Sequence, residues 1–122
     1  MPHIHLETTS DVVENQDVID MLEHLADKLS SFETIAPESV KSYYSIRSNW
    51  VTGTGAPHGF IHCEVAILSG RSPELVQAIT DGMFDELRSL FSRSIESGEA
   101  GLTLEVREMQ KETYRKLLPN PV

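Results

Sequence analysis

The sequence is poor in cysteine and in long apolar runs, and each shortage excludes a class of protein. Its one cysteine, Cys63, cannot form a disulfide within the chain. No apolar run approaches the roughly 20 residues that a membrane-spanning helix needs. The start of the chain is also too acidic for a secretory signal, since Glu7, Asp11 and Glu14 come before any apolar stretch. We therefore expect a cytoplasmic protein with no membrane partner.

Basic residues are scarce as well, with 10 Lys and Arg against 19 Asp and Glu, which gives a net charge of −9. A field of this sign argues against nucleic acid and anionic membranes as partners. An anionic ligand would need a local cluster of cations, so each arginine must be considered individually. The length of 122 residues predicts one domain with a core of its own.

Two amphipathic helices are predicted from apolar residues at helical spacing. The first presents one apolar face through Val18, Leu22, Leu25, Leu29 and Phe32. The second starts at Ser72, which can cap the helix, followed by Pro73 at the first helical position. It continues to about Ile95, ahead of Gly98. Acidic residues of the first helix fall mostly on its other side, which favours a solvated face over a metal site.

Alternating apolar and polar residues predict four strands around these helices. They cover residues 3–7, 44–51, 61–67 and 102–107. The order of elements predicts an α+β fold, in which two β-α-β units form a four-stranded mixed sheet with two helices on one face. The second sheet face is then expected to be apolar and uncovered, and oligomerisation would cover it.

Pro2 follows the initiator methionine, and this position has chemical consequences. A small residue after Met1 normally permits removal of that methionine, which would leave Pro2 with a free secondary amine. An α-amino group has a pKa of about 7.7–8.0, and burial or nearby cations lower it. Such an amine could act as a general base near neutral pH. The alternative is that Pro2 has no role, since proline is common near N-termini.

Four short segments, in this order and spacing, carry a resemblance to a known family. They are Met1-Pro2-His3, Ser45-Ile46-Arg47-Ser48, Phe60-Ile61-His62 and Gly70-Arg71-Ser72. Together with the two β-α-β units, they make the chain similar to the tautomerase superfamily. Within it, the chain resembles the 5-carboxymethyl-2-hydroxymuconate isomerase family.

The resemblance implies that Pro2 is the catalytic base, and that Arg47 and Arg71 bind the carboxylates of a small anionic substrate. It implies no metal and no organic cofactor. It also implies a homotrimer with active sites near the subunit boundaries. The chain would be a single tautomerase-like domain, residues 1–122, with a pseudo-repeat over 2–51 and 58–108 and a C-terminal tail over 109–122.

Two departures from the family pattern leave the substrate open. Asn49 stands where the compared family has a second arginine, and the loop over residues 52–59 is shorter. A dehalogenase or decarboxylase built on the same proline is one alternative. A catalytically silent trimeric binding protein is another, because retention of Met1 would make the Pro2 nitrogen an amide. Each arginine also has a structural alternative, which is a cross-strand ion pair for Arg47 and a surface turn for Arg71.

Histidines that share strand parity raise the possibility of a metal site. His3 and His5 form one such pair, and His58 and His62 form the other. Zinc sites more typically combine a tighter set of ligands with cysteine or carboxylates at recognised spacings. We therefore predict no metal site, and we expect Cys63 to be an inert core residue.

Overall fold

A four-stranded mixed sheet forms the centre of the protein, whose computed structural model describes residues 1–119. The strands are β1 (His3–Thr9), β2 (Lys41–Arg47), β3 (Gly59–Leu68) and β4 (Ala100–Met109). They lie in the order β2-β1-β3-β4. Pairing is parallel between β1 and β2 and between β3 and β4, and antiparallel between β1 and β3. This is the mixed sheet of two β-α-β units that the order of elements predicts.

The connections between strands carry the helices. These are α1 (Val18–Ser30), α2 (Pro73–Leu90) and the short α3 (Ser92–Glu96). Ser72 caps α2 as predicted, because its Oγ accepts the backbone N–H of Leu75 at 3.1 Å. The prediction of one helix continuing to Ile95 is wrong, since the backbone leaves helical geometry at Phe91, whose side chain is fully buried. Within residues 1–119, no helix combines the length and the apolar character needed to cross a membrane.

The core lies between the helices and one face of the sheet. Alternate residues of β1 and β3 point into it, because successive side chains of a strand face opposite sides. These strand residues are Ile4, Leu6, Ile61, Cys63, Val65 and Ile67. Leu25 and Leu29 from α1 and Met83 from α2 are each fully buried against them. Cys63 is a core residue as expected, and burial raises its pKa to about 12, so that its thiol stays protonated.

The second strand differs from its predicted bounds. It was expected over residues 44–51, but β2 runs over Lys41–Arg47. Its register is set by parallel pairing with β1, which begins at the pair His3–Lys41. Residues 48–51 leave the sheet, and the Trp50 indole N–H donates to the carbonyl of His58 at 2.9 Å. Such long-range pairing is invisible in the local pattern of β2.

The open face of the sheet is polar, so the expectation of an apolar face is wrong. It carries the second set of alternating side chains, which includes His5, Glu7, His62, Glu64 and Arg107. Several are paired across strands: His5 bonds to Ser45 at 2.8 Å, His62 to Thr103 at 2.7 Å and Arg107 to Glu64 at 3.1 Å. Paired polar groups therefore dominate this face, and the expectation of an oligomer stays a prediction.

The contrast between buried and exposed residues of α1 can be tested by truncation. Leu25→Ala should lower the free energy of unfolding by about 2–5 kcal/mol, because Leu25 is fully buried. Ile19→Ala, in the same helix at 64% exposure, should change it by less than about 0.5 kcal/mol. Urea unfolding of both variants measures the difference. Equal losses would contradict the placement of the core.

Candidate active site at the N-terminus

Pro2 lies just before β1, at the end of the sheet where the parallel strand β2 also starts. Its side chain is buried, and its carbonyl accepts the backbone N–H of Lys41 at 3.0 Å. Removal of Met1 would therefore place a free amine on a residue whose position is fixed by the sheet. A fixed position is what a general base needs, since proton transfer requires contact with the substrate.

Three cations act on the N-terminal amine through their charge. With Met1 in place, the pKa of this amine is lowered from 8.0, first by burial and then by the charges of Lys116, Arg71 and Lys41. The sign follows because both effects disfavour the protonated form. The same field acts on His3, whose pKa is lowered by burial, the amine and Lys41. An amine at this end of the sheet is therefore more often neutral at pH 7 than an ordinary α-amine.

Arg71 approaches the amine from the loop between β3 and α2, and its guanidinium is held by protein acceptors. Its Nη1 donates to the carbonyl of Leu68 at 2.8 Å. Its Nε donates to the hydroxyl of Thr34 at 2.8 Å, and Nη2 donates to the carbonyl of the same residue at 3.2 Å. Arg71 is half-buried in the bend before α2, so its predicted role in carboxylate binding and the structural alternative, a surface arginine in a turn, both remain open.

Arg47 lies away from Pro2 in the same chain. It pairs with Thr9 at the far end of β1, six residues beyond the pair His3–Lys41, a distance of about 20 Å along the strands. Its guanidinium forms an ion pair with Glu7 on the open face, as the structural alternative anticipates. Within one chain, the structure brings Arg71 but not Arg47 to the N-terminal amine.

Two cations of this site, Lys41 and Lys116, were not among the predicted site residues. Lys41 was missed because the strand was expected to start at residue 44. The pairing of His3 with Lys41 would have indicated this residue, but the register between β1 and β2 cannot be read from the sequence. Lys116 is in the C-terminal tail, where Leu117 is 96% exposed, and no local pattern singles it out. A neighbouring tail residue, Lys111, lies over Gly70, beside Arg71.

The end of the sheet that carries Arg47 has a cavity of its own, of about 510 Å³. It is lined by Ser48, Asn49, Trp50, Val51 and His58. The imidazole of His58 bonds to the Asp11 carboxylate at 2.7 Å and is otherwise largely exposed. Across residues 1–119, no three side chains of His, Cys, Asp or Glu converge as ligands for a metal ion. The histidine pairs are instead engaged with neighbouring residues.

The fold places the protein in a known class. It has the tautomerase-like architecture of a 5-carboxymethyl-2-hydroxymuconate isomerase from Deinococcus radiodurans R1, with a TM-score of 0.84 and 23% identity over 95% of this chain and 88% of that one. The fold is also similar to that of a 5-carboxymethyl-2-hydroxymuconate delta-isomerase, with a TM-score of 0.86 and 15% identity. This match covers 98% of this chain and 89% of that one. A third similar structure is a fused 4-OT described as a symmetric trimer, with a TM-score of 0.70 and 12% identity. This match covers 89% of this chain and 86% of that one.

The sequence itself identifies the family. Residues 2–119 match the 5-carboxymethyl-2-hydroxymuconate isomerase family, so the chain belongs to this family of isomerases. No curated protein sequence gives a match. The resemblance noted from the four short segments is therefore confirmed at the level of the family.

The charge on Lys116 offers a test of the field at the amine. Lys116→Gln should raise the pKa of the N-terminal amine towards 8.0, because it removes a cation that disfavours protonation. NMR titration of the N-terminal Hα measures this pKa. Lys28→Gln makes the same chemical change on α1 and should leave it unaltered. An unchanged pKa in Lys116→Gln would show that the tail does not reach the amine.

Proposed function

We propose that the protein is a cofactor-independent isomerase that moves a proton within an unsaturated 2-hydroxy or 2-oxo carboxylic acid. 5-Carboxymethyl-2-hydroxymuconate is the proposed substrate, and the N-terminal amine of Pro2 is the proposed base. The observation that carries this proposal is that burial and the charges of Lys116, Arg71 and Lys41 lower the pKa of the Met1 amine, next to Pro2. Membership of the isomerase family supports the reaction class.

The proposed chemistry needs one base and a few cations. Removal of Met1 leaves the Pro2 amine, which in its neutral form takes the proton of the 2-hydroxyl group. The electron pair of that O–H bond forms the 2-oxo group, the double bonds shift along the chain, and the amine returns the proton to a carbon. No atom is gained or lost. Cations near the developing dienolate lower its energy because they are already in place when the charge moves.

The same cations would hold the substrate. The proposed substrate carries three carboxylates, one at each end of the muconate and one on its carboxymethyl group. Arg71, Lys41 and Lys116 offer three positive charges close to the amine, in a chain whose net charge is −9. Local charge of this kind binds an anion that the overall field repels.

Arg47 would take part through a neighbouring subunit. It cannot reach Pro2 of its own chain, so its proposed role in carboxylate binding requires a second copy. A homotrimer with sites at subunit boundaries would provide one, and a structure described as a symmetric trimer shares this fold. The edge strand β2 carries exposed apolar side chains suited to such contacts, with Tyr43 at 44% and Ile46 at 48% exposure.

Substitution of the proposed base tests the reaction. Pro2→Ala should lower kcat on 5-carboxymethyl-2-hydroxymuconate by about a hundredfold, because removal of Met1 then leaves a primary amine that no ring holds in position, and a positioned base contributes about that much to proton transfer. Steady-state kinetics measure the loss, with the intact mass of each preparation recording whether Met1 is present. Pro37→Ala, in the 3-10 helix Pro37–Ser39, is the matched control and should keep wild-type turnover. Full activity in Pro2→Ala would refute the proposed base.

Subunit mixing tests the role of Arg47. Pro2→Ala and Arg47→Gln should each have low activity alone, but co-expression should restore about a quarter of the wild-type sites, since a site built from two protomers can combine the intact halves. The measured quantity is kcat/KM of the mixed oligomer. Activity no higher than the average of the two variants would place Arg47 outside the site.

The alternatives make different predictions with the same protein. A proline-based dehalogenase or decarboxylase would turn over halogenated acrylates or 3-oxo acids in preference to the muconate. A binding protein would bind the muconate without isomerising it and would keep Met1 on a mature chain. A substrate panel run on protein of known N-terminal mass therefore separates all three.

A further inference from the structure

Thr34 contacts Arg71 through two of its atoms, and no role has been assigned to it. Its hydroxyl accepts the Nε–H of Arg71 at 2.8 Å, and its carbonyl accepts an Nη2–H at 3.2 Å. These two N–H groups form one edge of the planar guanidinium. Thr34 thus holds that edge with two acceptors, as a carboxylate would, but without a negative charge.

The backbone of Thr34 is in an unusual conformation. Its φ is 71°, and within residues 1–119 it is the sole residue other than glycine with positive φ. This region is costly for a β-branched residue, and such conformations concentrate at functional sites. The next residue, Ile35, is buried at 5% exposure and anchors the loop to the core. The loop is therefore held in a form that turns both acceptors of Thr34 towards Arg71.

The hydrogen bonds of Arg71 leave part of its guanidinium available. Of its five N–H groups, two are taken by Thr34 and one by the carbonyl of Leu68. One N–H on each terminal nitrogen then has no acceptor among the described residues. Two such donors can pair with the two oxygens of a carboxylate.

We propose that Thr34 is a positioning residue that orients the guanidinium of Arg71 for binding a substrate carboxylate. This inference rests on the proposed function, because it assigns the carboxylate of the same site. Thr34 does not touch the substrate in this account. It fixes the plane of the guanidinium before the substrate binds. Binding then does not lose the free energy needed to order the Arg71 side chain.

Binding of an unreactive anion tests the proposal without relying on turnover. The probe is 2-oxoadipate, a saturated 2-oxo dicarboxylate, and calorimetry gives its Kd. Thr34→Val keeps the β-branched shape and removes the hydroxyl, so it should weaken binding about tenfold. Thr34→Ser keeps the hydroxyl and should bind within about twofold of wild type. In the isomerase assay, Thr34→Val should raise KM by a similar factor with kcat little changed, since the lost contact acts on binding.

A third variant separates positioning from a structural role. Thr34→Gly relieves the positive φ and removes the hydroxyl, so it should raise Tm while weakening 2-oxoadipate binding. A purely structural role would make affinity follow stability. Thr80→Val is the matched control, because Thr80 donates to Val76 within α2 at 2.8 Å, and it should leave Kd unchanged.

The outcomes distinguish this inference from the proposed function. Weakened binding in Thr34→Val with rescue in Thr34→Ser supports the role of Thr34, even if the protein isomerises no muconate. Unchanged binding in Thr34→Val overturns it, as does equal damage from both variants. Failure of the wild-type protein to bind 2-oxoadipate also overturns it, because Arg71 would then not be oriented for a carboxylate.

Discussion

The parallel register between β1 and β2 is the constraint on which the candidate site depends. Pairing starts at His3–Lys41, so both strands begin at the same end of the sheet and Lys41 lies beside Pro2. The same register places Arg47 at the opposite end of these two strands. One chain therefore assembles an amine with Arg71 and two lysines, while the second predicted arginine can contribute only across a boundary between copies.

The site also depends on a contrast between local and overall charge. The chain carries a net charge of −9, yet burial and then the charges of Lys116, Arg71 and Lys41 lower the pKa of the N-terminal amine. Those cations would act twice, because the field that lowers the pKa of the amine would also attract the proposed anionic substrate. Their positions are held by the fold: Lys41 by the sheet, and Arg71 by Leu68 and Thr34.

Much of the fold was predictable because its signals are local. The helical spacing and the cap at Ser72 need only neighbouring residues, and the order of elements then predicts the mixed sheet. The predicted bounds of β2 and the predicted apolar character of the open face were wrong, since both depend on pairing between distant strands. In the candidate site, Pro2 and Arg71 were predicted from the resemblance to the family, and their roles stay predictions. Lys116 and Thr34 were not predicted, because tail packing and a backbone dihedral leave no local pattern.

The state of the N-terminus is the central claim, since only a free Pro2 amine can be the base. With Met1 attached, the Pro2 nitrogen is an amide without useful basicity. The intact mass of the protein purified from its native host tests this directly. The prediction is a mass lacking Met1. A mass that retains Met1 would contradict it, because the proposed base would then be absent from the mature protein.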